Sequence, residues 1–345
     1  MEKITINTTG NKSEILVGES WETAFSLVPD KGTVIITDNK VNLLYGNRFH
    51  GFPVISITPG EESKKIKVIE DLAEQLLEAG VDRSGFILAI GGGVVCDIAG
   101  FLASIYMRGV RCGYVSTTLL SQVDASTGGK NGVNLGVTKN MLGIIRQPEF
   151  VICDTTMLQT LPEQEFLSGL AELIKTAIIG DKNLFEQIEN SGDDINASNP
   201  QLLATLVAKS VRFKGMVVSD DEMETGLRRI LNFGHTFGHA LEIQKSLRHG
   251  FAVALGMELA TEFSFERKLI SLEVRDRIIC MLRRFRLIEW VDITDAQMEK
   301  LIAHDKKKSG NDINFVFVTG IGKAVVEKVS VISLLDFYRR FRDKK

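Results

Sequence analysis

Three of the five histidines, His235, His239 and His249, fall close together, and two of them lie in "LNFGHTFGHALE" (231–242). If that stretch is helical, His235 and His239 share one face, and Asn232 sits one turn ahead of His235. Spacing alone suggests a two-histidine clamp on one metal ion. "GLAELIK" (169–175) adds Glu172 and, three residues on, Lys175. Glu172 stands among apolar neighbours, where a lone carboxylate is costly. A metal ion would offset that cost, and so would a buried salt bridge to Lys175 or to an arginine. Two imidazoles and one carboxylate with an open position form a catalytic zinc arrangement. A solitary histidine would read as a satisfied core residue, but three with glycines beside them point to a site. Lys175, Lys214, Arg228, Lys306 and Lys307 gather around these motifs. They are either solvated cations or a pocket for an anionic substrate.

The first half carries different chemistry. "AIGGGVVCD" (89–97) reads as a strand running through glycines into a helix. Glycines admit a phosphate close to the backbone, and the helix N-terminus offers N–H donors. Cys96 occupies the third glycine position of the full G-x-G-x-x-G pattern, so a tight turn without a ligand is the competing reading. "STTLLSQVDASTGGKNGVN" (116–134) packs hydroxyls, Asp124, two glycines and Lys130 into a run that reads as a loop, with Lys139 and Asn140 soon after. It is either a ligand loop on a rigid scaffold or a solvated connection.

The elements that must position these residues fall into two textures. Strand-like "GTVIITD" (32–38), "PVISITP" (53–59), "GFILAIGGG" (85–93), "CGYVSTTLL" (112–120) and "EFVICD" (149–154) alternate with helix-like pieces such as 63–80. That alternation predicts an α/β domain with a doubly wound parallel sheet over 1–160. After Pro162 the segments 163–180, 201–219 and 251–270 are helical, and only "INFVFVT" (313–319) reads as a strand. A mainly α-helical domain is therefore expected over 161–345.

Composition narrows the partners. The net charge of −3 argues against general nucleic-acid binding. The four cysteines are scattered with no C-x-x-C pair, which argues against cysteine-held zinc or a disulfide scaffold and favours reduced thiols in the cytoplasm. The N-terminal residues lack the apolar core of a signal peptide. Phe86 to Tyr106 is long and apolar enough to imitate a membrane span. Its three adjacent glycines and Asp97 favour a buried strand, a turn and a buried helix instead.

Taken in order, "GGGVVCDIAGF", "YMRGV", "TTLLSQVDASTGGKNGVN", "KNMLGIIRQP", "LPEQEFLSGLAELIK", "DDEMETGLRRILNFGHTFGHALE" and "HGFAVALGM" resemble the 3-dehydroquinate synthase family of sugar-phosphate cyclases, over roughly residues 30–320. The resemblance implies an NAD-binding α/β domain and a helical metal-binding domain with the active site in the cleft, usually in a homodimer. It implies conversion of 3-deoxy-D-arabino-heptulosonate 7-phosphate to 3-dehydroquinate and phosphate in the shikimate pathway, with NAD used catalytically and Zn2+ or Co2+ bound. The implied metal ligands are Glu172, His235 and His249, which moves His239 to the substrate side. The implied NAD contacts are Asp38, Glu61, Lys64, Gly92, Gly93, Val94, Asp97, Thr117, Thr118, Lys130, Lys139 and Thr160. The implied substrate contacts are Asp124, Lys130, Asn140, Lys175, Lys214, Glu224, Arg228, Asn232, His239 and Lys306. Arg108 would reach the substrate phosphate in the neighbouring subunit.

Three departures stand out. Ser116 replaces a usual proline and Asn131 a usual threonine. Phe251 stands where the family usually has glutamate, two residues from His249, which puts that ligand's supporting shell in question. The rival readings are another cyclase, of the 2-deoxy-scyllo-inosose or valiolone type, an iron-type alcohol or glycerol dehydrogenase, and a non-catalytic NAD-binding regulator. Lys214, Arg228, Asn232 and His239 suit a substrate bearing carboxylate and phosphate, which favours the first reading over the other cyclases.

Overall fold

The computed structural model describes residues 1–345 except 10, 137, 246, 292, 295, 296, 300–307, 310, 311 and 345, and the side chains of 11, 243–245, 308 and 309. Lys306 therefore lies outside the described residues. The chain forms two compact units, one of 1–162 with 196–223 and one of 163–195 with 224–345.

The first unit opens with a hairpin of β1 (Glu2–Thr8) and β2 (Asn11–Val17), followed by the short helix α1 (Ala24–Leu27). Then come β3 (Thr33–Asp38), α2 (Asn39–Tyr45), β4 (Val54–Ile57), α3 (Ile66–Glu78), β5 (Phe86–Gly91) and α4 (Gly93–Ile105). β6 (Arg111–Ser116), the hairpin of β7 (Lys130–Leu135) and β8 (Thr138–Ile145), and β9 (Phe150–Cys153) complete the strands. The seven-stranded sheet runs β1-β2-β9-β6-β5-β3-β4. Only β1–β2 is antiparallel; every other pairing in it is parallel. Central strands of such a sheet are covered on both faces and read as continuous apolar runs. β5, "FILAIG", is buried at every position. Trp21, Ile35, Phe49, Leu88, Ile90, Val115 and Ile152 pack in one cluster on this sheet.

The strand–turn–helix reading of 86–106 matches β5, the glycine turn and α4. No helix among the described residues is long and apolar enough to cross a membrane. The loop reading of 116–134 needs correction. Ser121–Ala125 is a π-helical turn with Ser121, Gln122 and Val123 buried, and β7 follows it. Several of its polar groups find local backbone partners: Gln122 Nε2 donates to the carbonyls of Ser116 and Asp154, and Ser126 Oγ to that of Ser121. Buried polar side chains with local partners look like loop composition when only the sequence is read.

In the second unit α5 (Glu163–Gly180) and α6 (Lys182–Ser191) come first. The chain then returns to the first unit for α7 (Pro200–Asp220). A division at 160/161 keeps α7 with the helical part, whereas in the structure α7 packs along β1 and the 121–125 turn. Gly215 sits so close to Ile6 that a Cβ there would lie 3.1 Å from Ile6 Cγ1. The second unit resumes with α8 (His235–Lys245), α9 (His249–Glu266) and α10 (Leu272–Arg284). It ends with a three-stranded antiparallel sheet of β10 (Lys308–Ser309), β11 (Asp312–Gly320) and β12 (Lys323–Ser330), then α11 (Val331–Arg342). Its core is aromatic: Phe237 of α8, Phe263 of α9, Phe315 and Phe317 of β11 and Phe337 of α11 pack together, mostly edge-on or tilted, with Phe263 and Phe337 stacked at 4.4 Å between centroids.

Candidate active site

The second unit brings the clustered histidines to Glu172. α5 is buried on nearly all sides, so Glu172 and Lys175 sit inside the core, 0% and 2% exposed. Glu172 Oε2 pairs with Lys175 Nζ. Glu172 Oε1 faces His249 Nε2 at 3.3 Å and His235 Nε2 at 3.8 Å. The sequence left a metal ion and a salt bridge as competing explanations of Glu172; the two oxygens divide between a salt bridge and a pair of imidazoles. The ligand atoms of Glu172, His235 and His249 all lie within 4.8 Å of one another, so the three are able to hold one divalent cation.

The imidazoles are oriented from behind. His235 Nδ1 lies 3.1 Å from the carbonyl of Phe233, which turns Nε2 toward Glu172. His249 Nδ1 lies 3.2 Å from Glu242 Oε2. Burial lowers the proton affinity of His249, but the hydrogen bonds and charges of Glu172 and Glu242 outweigh it and lift its pKa to about 10. The pocket thus favours positive charge at this point, the environment a dication needs. Phe251 offers no hydrogen bond, and Glu242 stands where an orienting carboxylate is required. Sequence reasoning passed over Glu242. Its signal was spacing: His235, His239 and Glu242 fall at i, i+4 and i+7, on one helix face.

His239 lies on that face, its ring centroid 5.1 Å from His235. Asn232 does not share the helix. Leu227–Asn232 is a 3-10 turn, and Gly234, at φ +78°, separates it from α8, which begins at His235. Asn232 Nδ2 instead donates to Glu224 Oε1. Arg228 is 1% exposed, a guanidinium held inside the unit.

The first unit gathers the other candidates. Gly92 caps α4, Gly93 and Val94 open it, and Asp97 lies one turn in. A Cβ on Gly92 would sit 2.8 Å from Thr118 Cγ2, so the glycine lets the turn and the Thr117–Thr118 segment approach. Lys64 is 3% exposed and pairs with Asp97 Oδ2 at 2.6 Å, while also donating to Asn140 Oδ1. Burial pushes the Asp97 carboxyl up to about 6 despite Lys64, which pulls the other way. Glu61 lies in the 3-10 turn just before Lys64. Lys130 opens β7, and Lys139 and Asn140 lie on β8. Asp124, in the π turn, accepts from Lys214 of α7 at 2.6 Å. Asp38 ends β3 and spends Oδ1 on the amides of Lys40 and Val41, capping α2. Thr160 bonds the Tyr45 hydroxyl and the Met157 carbonyl. Arg108 sits at φ +68° in the turn after α4. Asn131, the departure from threonine, is buried and bonded to Tyr114 and to the carbonyls of Gly129 and Arg146.

The chain has the fold of the sugar-phosphate cyclases. The chain superposes with a TM-score of 0.89 on 2-epi-5-epi-valiolone synthase from Streptomyces hygroscopicus, solved with NAD+ and Zn2+ (25% identity, covering 98% of this chain and 99% of that one). It superposes with a TM-score of 0.88 on 2-deoxy-scyllo-inosose synthase complexed with carbaglucose-6-phosphate, NAD+ and Co2+ (25% identity, 98% and 100%). The 3-dehydroquinate synthase N-terminal model matches residues 54–168 and the C-terminal model 169–308. The 3-dehydroquinate synthase of Dehalococcoides mccartyi strain 195 is 37% identical over 356 aligned positions, covering 97% of this chain and 99% of that one. The chain belongs to the 3-dehydroquinate synthase family.

Proposed function

We propose that the chain converts 3-deoxy-D-arabino-heptulosonate 7-phosphate to 3-dehydroquinate and phosphate, as a cyclising carbon–oxygen lyase of the shikimate pathway. The observation that carries the reading is the buried Glu172 facing His235 and His249 in a chain of this family. When bound, NAD accepts and returns a hydride, and a zinc or cobalt ion polarises the hydroxyl that is transiently oxidised.

The residues have these roles. Glu172, His235 and His249 hold the metal. Lys175 neutralises one oxygen of Glu172 and leaves the other for the cation. Asp124 fixes Lys214 as an oriented positive charge, and Arg228 presents a buried guanidinium suited to a carboxylate or phosphate. His239, Asn232, Glu224, Lys130, Asn140 and Lys306 complete the substrate set. Asp38, Glu61, Lys64, Gly92, Gly93, Val94, Asp97, Thr117, Thr118, Lys130, Lys139 and Thr160 would hold NAD, and the N-terminus of α4 would supply N–H donors to a phosphate. The departing phosphate takes the substrate proton, so the protein mainly orients and stabilises charge. We further propose a cytoplasmic homodimer in which Arg108 serves the neighbouring subunit's substrate phosphate.

The test is to incubate purified protein with the heptulosonate phosphate, NAD and zinc, and to measure phosphate and dehydroquinate. Absence of phosphate release with metal present sinks the reading. Net NADH formation on glycerol would point to a dehydrogenase.

A further inference from the structure

Asn134 stands in none of the sets above, yet it joins two of them. It follows Val133 in β7, and its side chain uses both ends of the amide. Nδ2 donates to Glu61 Oε1 at 2.9 Å. Oδ1 accepts the backbone N–H of Asn140 at 2.8 Å. Its own N–H donates to the carbonyl of Lys64 at 2.8 Å, and Asn134 pairs with Lys65 as an isolated parallel bridge. Lys64 closes the ring by reaching Asp97 and Asn140 Oδ1. Asn140 holds φ +50°, a left-handed backbone that asparagine tolerates but that needs outside support to stay fixed.

From this closed ring we propose that Asn134 is a positioning residue coupling the NAD-contacting segment 61–64 to the substrate residue Asn140. The inference rests on the roles proposed above for Glu61, Lys64 and Asn140. With the ring intact, NAD seated on Glu61 and Lys64 steadies Asn134, and Asn134 fixes the Asn140 backbone. Coupling of this kind is reciprocal: substrate held by Asn140 tightens NAD. Neither half of the ring touches the other in sequence; the β7–β8 pairing, with Leu135 opposite Thr138, brings Asn134 beside Asn140.

The test reads two constants on the full chain with zinc. NAD affinity is measured by calorimetry, and the Michaelis constant for the heptulosonate phosphate by phosphate release at saturating NAD. Asn134→Ala is expected to weaken NAD and raise the substrate constant, each about tenfold, the scale of one or two lost hydrogen bonds. Asn134→Asp keeps the oxygen that accepts from Asn140 and sets a carboxylate against Glu61. It is expected to weaken NAD at least as much as alanine while moving the substrate constant less than about threefold, a split that general misfolding would not give. Asn134→Ala added to Asn140→Ala should raise the substrate constant by less than the product of the two single effects. An active wild type in which Asn134→Ala leaves both constants unchanged, or in which the double variant multiplies the singles, overturns the inference alone. A wild type that binds NAD but releases no phosphate overturns the reading of the site instead.

Discussion

His249 turns its two ring nitrogens toward different carboxylates, Glu172 at Nε2 and Glu242 at Nδ1. A ring that gives Nε2 to a cation must keep its proton on Nδ1, and Glu242 is placed to accept it. Glu242→Ala should lower metal affinity about 10–100-fold, with Glu242→Gln recovering part of the loss, as read by competition with a chelator. Unchanged affinity in the alanine variant would remove Glu242 from this role. His235→Ala should lose metal and turnover together, whereas His239→Ala should keep its metal and lose turnover. Elemental analysis beside a phosphate-release assay decides both, and loss of metal from His239→Ala would reverse the division between the two histidines. Asp97 gives a pH prediction. Its carboxyl lies above the usual aspartate range, at about 6, so the fold without cofactor gains from its proton below the ordinary range, and that contribution is lost as pH rises through about 6. Cofactor binding runs the other way. Protonation below about 6 takes from Lys64 its anionic partner, and NAD affinity should then fall by up to about tenfold per pH unit. Calorimetry across pH 5–8 (a range of about three units around that value) checks this, and Asp97→Asn should flatten the dependence.

At the scale of elements, α8 and α9 set the distance between His235 and His249, and glycine sets the distance between the helices. A Cβ on Gly256 would lie 1.9 Å from the carbonyl oxygen of Gly234 and 2.7 Å from the N of Gly238, backbone atoms that cannot rotate away. Gly256→Ala should therefore push α9 from α8, cost about 1–3 kcal/mol or more, and weaken the metal. A urea titration with and without chelator measures both effects; an unchanged midpoint would contradict the packing argument. Legibility in the sequence follows the same physics. β3, β5, β6 and β9 announce themselves because strands covered on both faces are unbroken apolar runs. α5 and α7 do so through length and periodicity. The β1–β2 hairpin, the β7–β8 hairpin and β12 do not, because their mixed polar faces resemble loop. The Glu172–Lys175 spacing was readable on one helix, but the sharing of Glu172 between a lysine and two histidines depends on tertiary packing. Asn232 was misplaced because Gly234 looks like one more helix residue until its backbone is seen.

For the molecule as a whole, the order of the chain matters. The first unit is completed only by α7, which covers β1 and supplies Lys214 to Asp124. Residues 1–162 alone should show far-ultraviolet helix signal with weak near-ultraviolet signal and bind a hydrophobic dye. The same segment joined through a Gly/Ser linker to 196–223 should regain a cooperative melt. A sharp melt of 1–162 by itself would show that α7 is dispensable. The interrupted path also bears on birth at the ribosome. Glu172 emerges before α7, and His249 only some 80 residues after Glu172, roughly 4–16 s at ordinary translation speeds. Through most of that interval the nascent α5 carries a core carboxylate with neither imidazole partner yet made, and Lys175 guards it against being buried as bare charge.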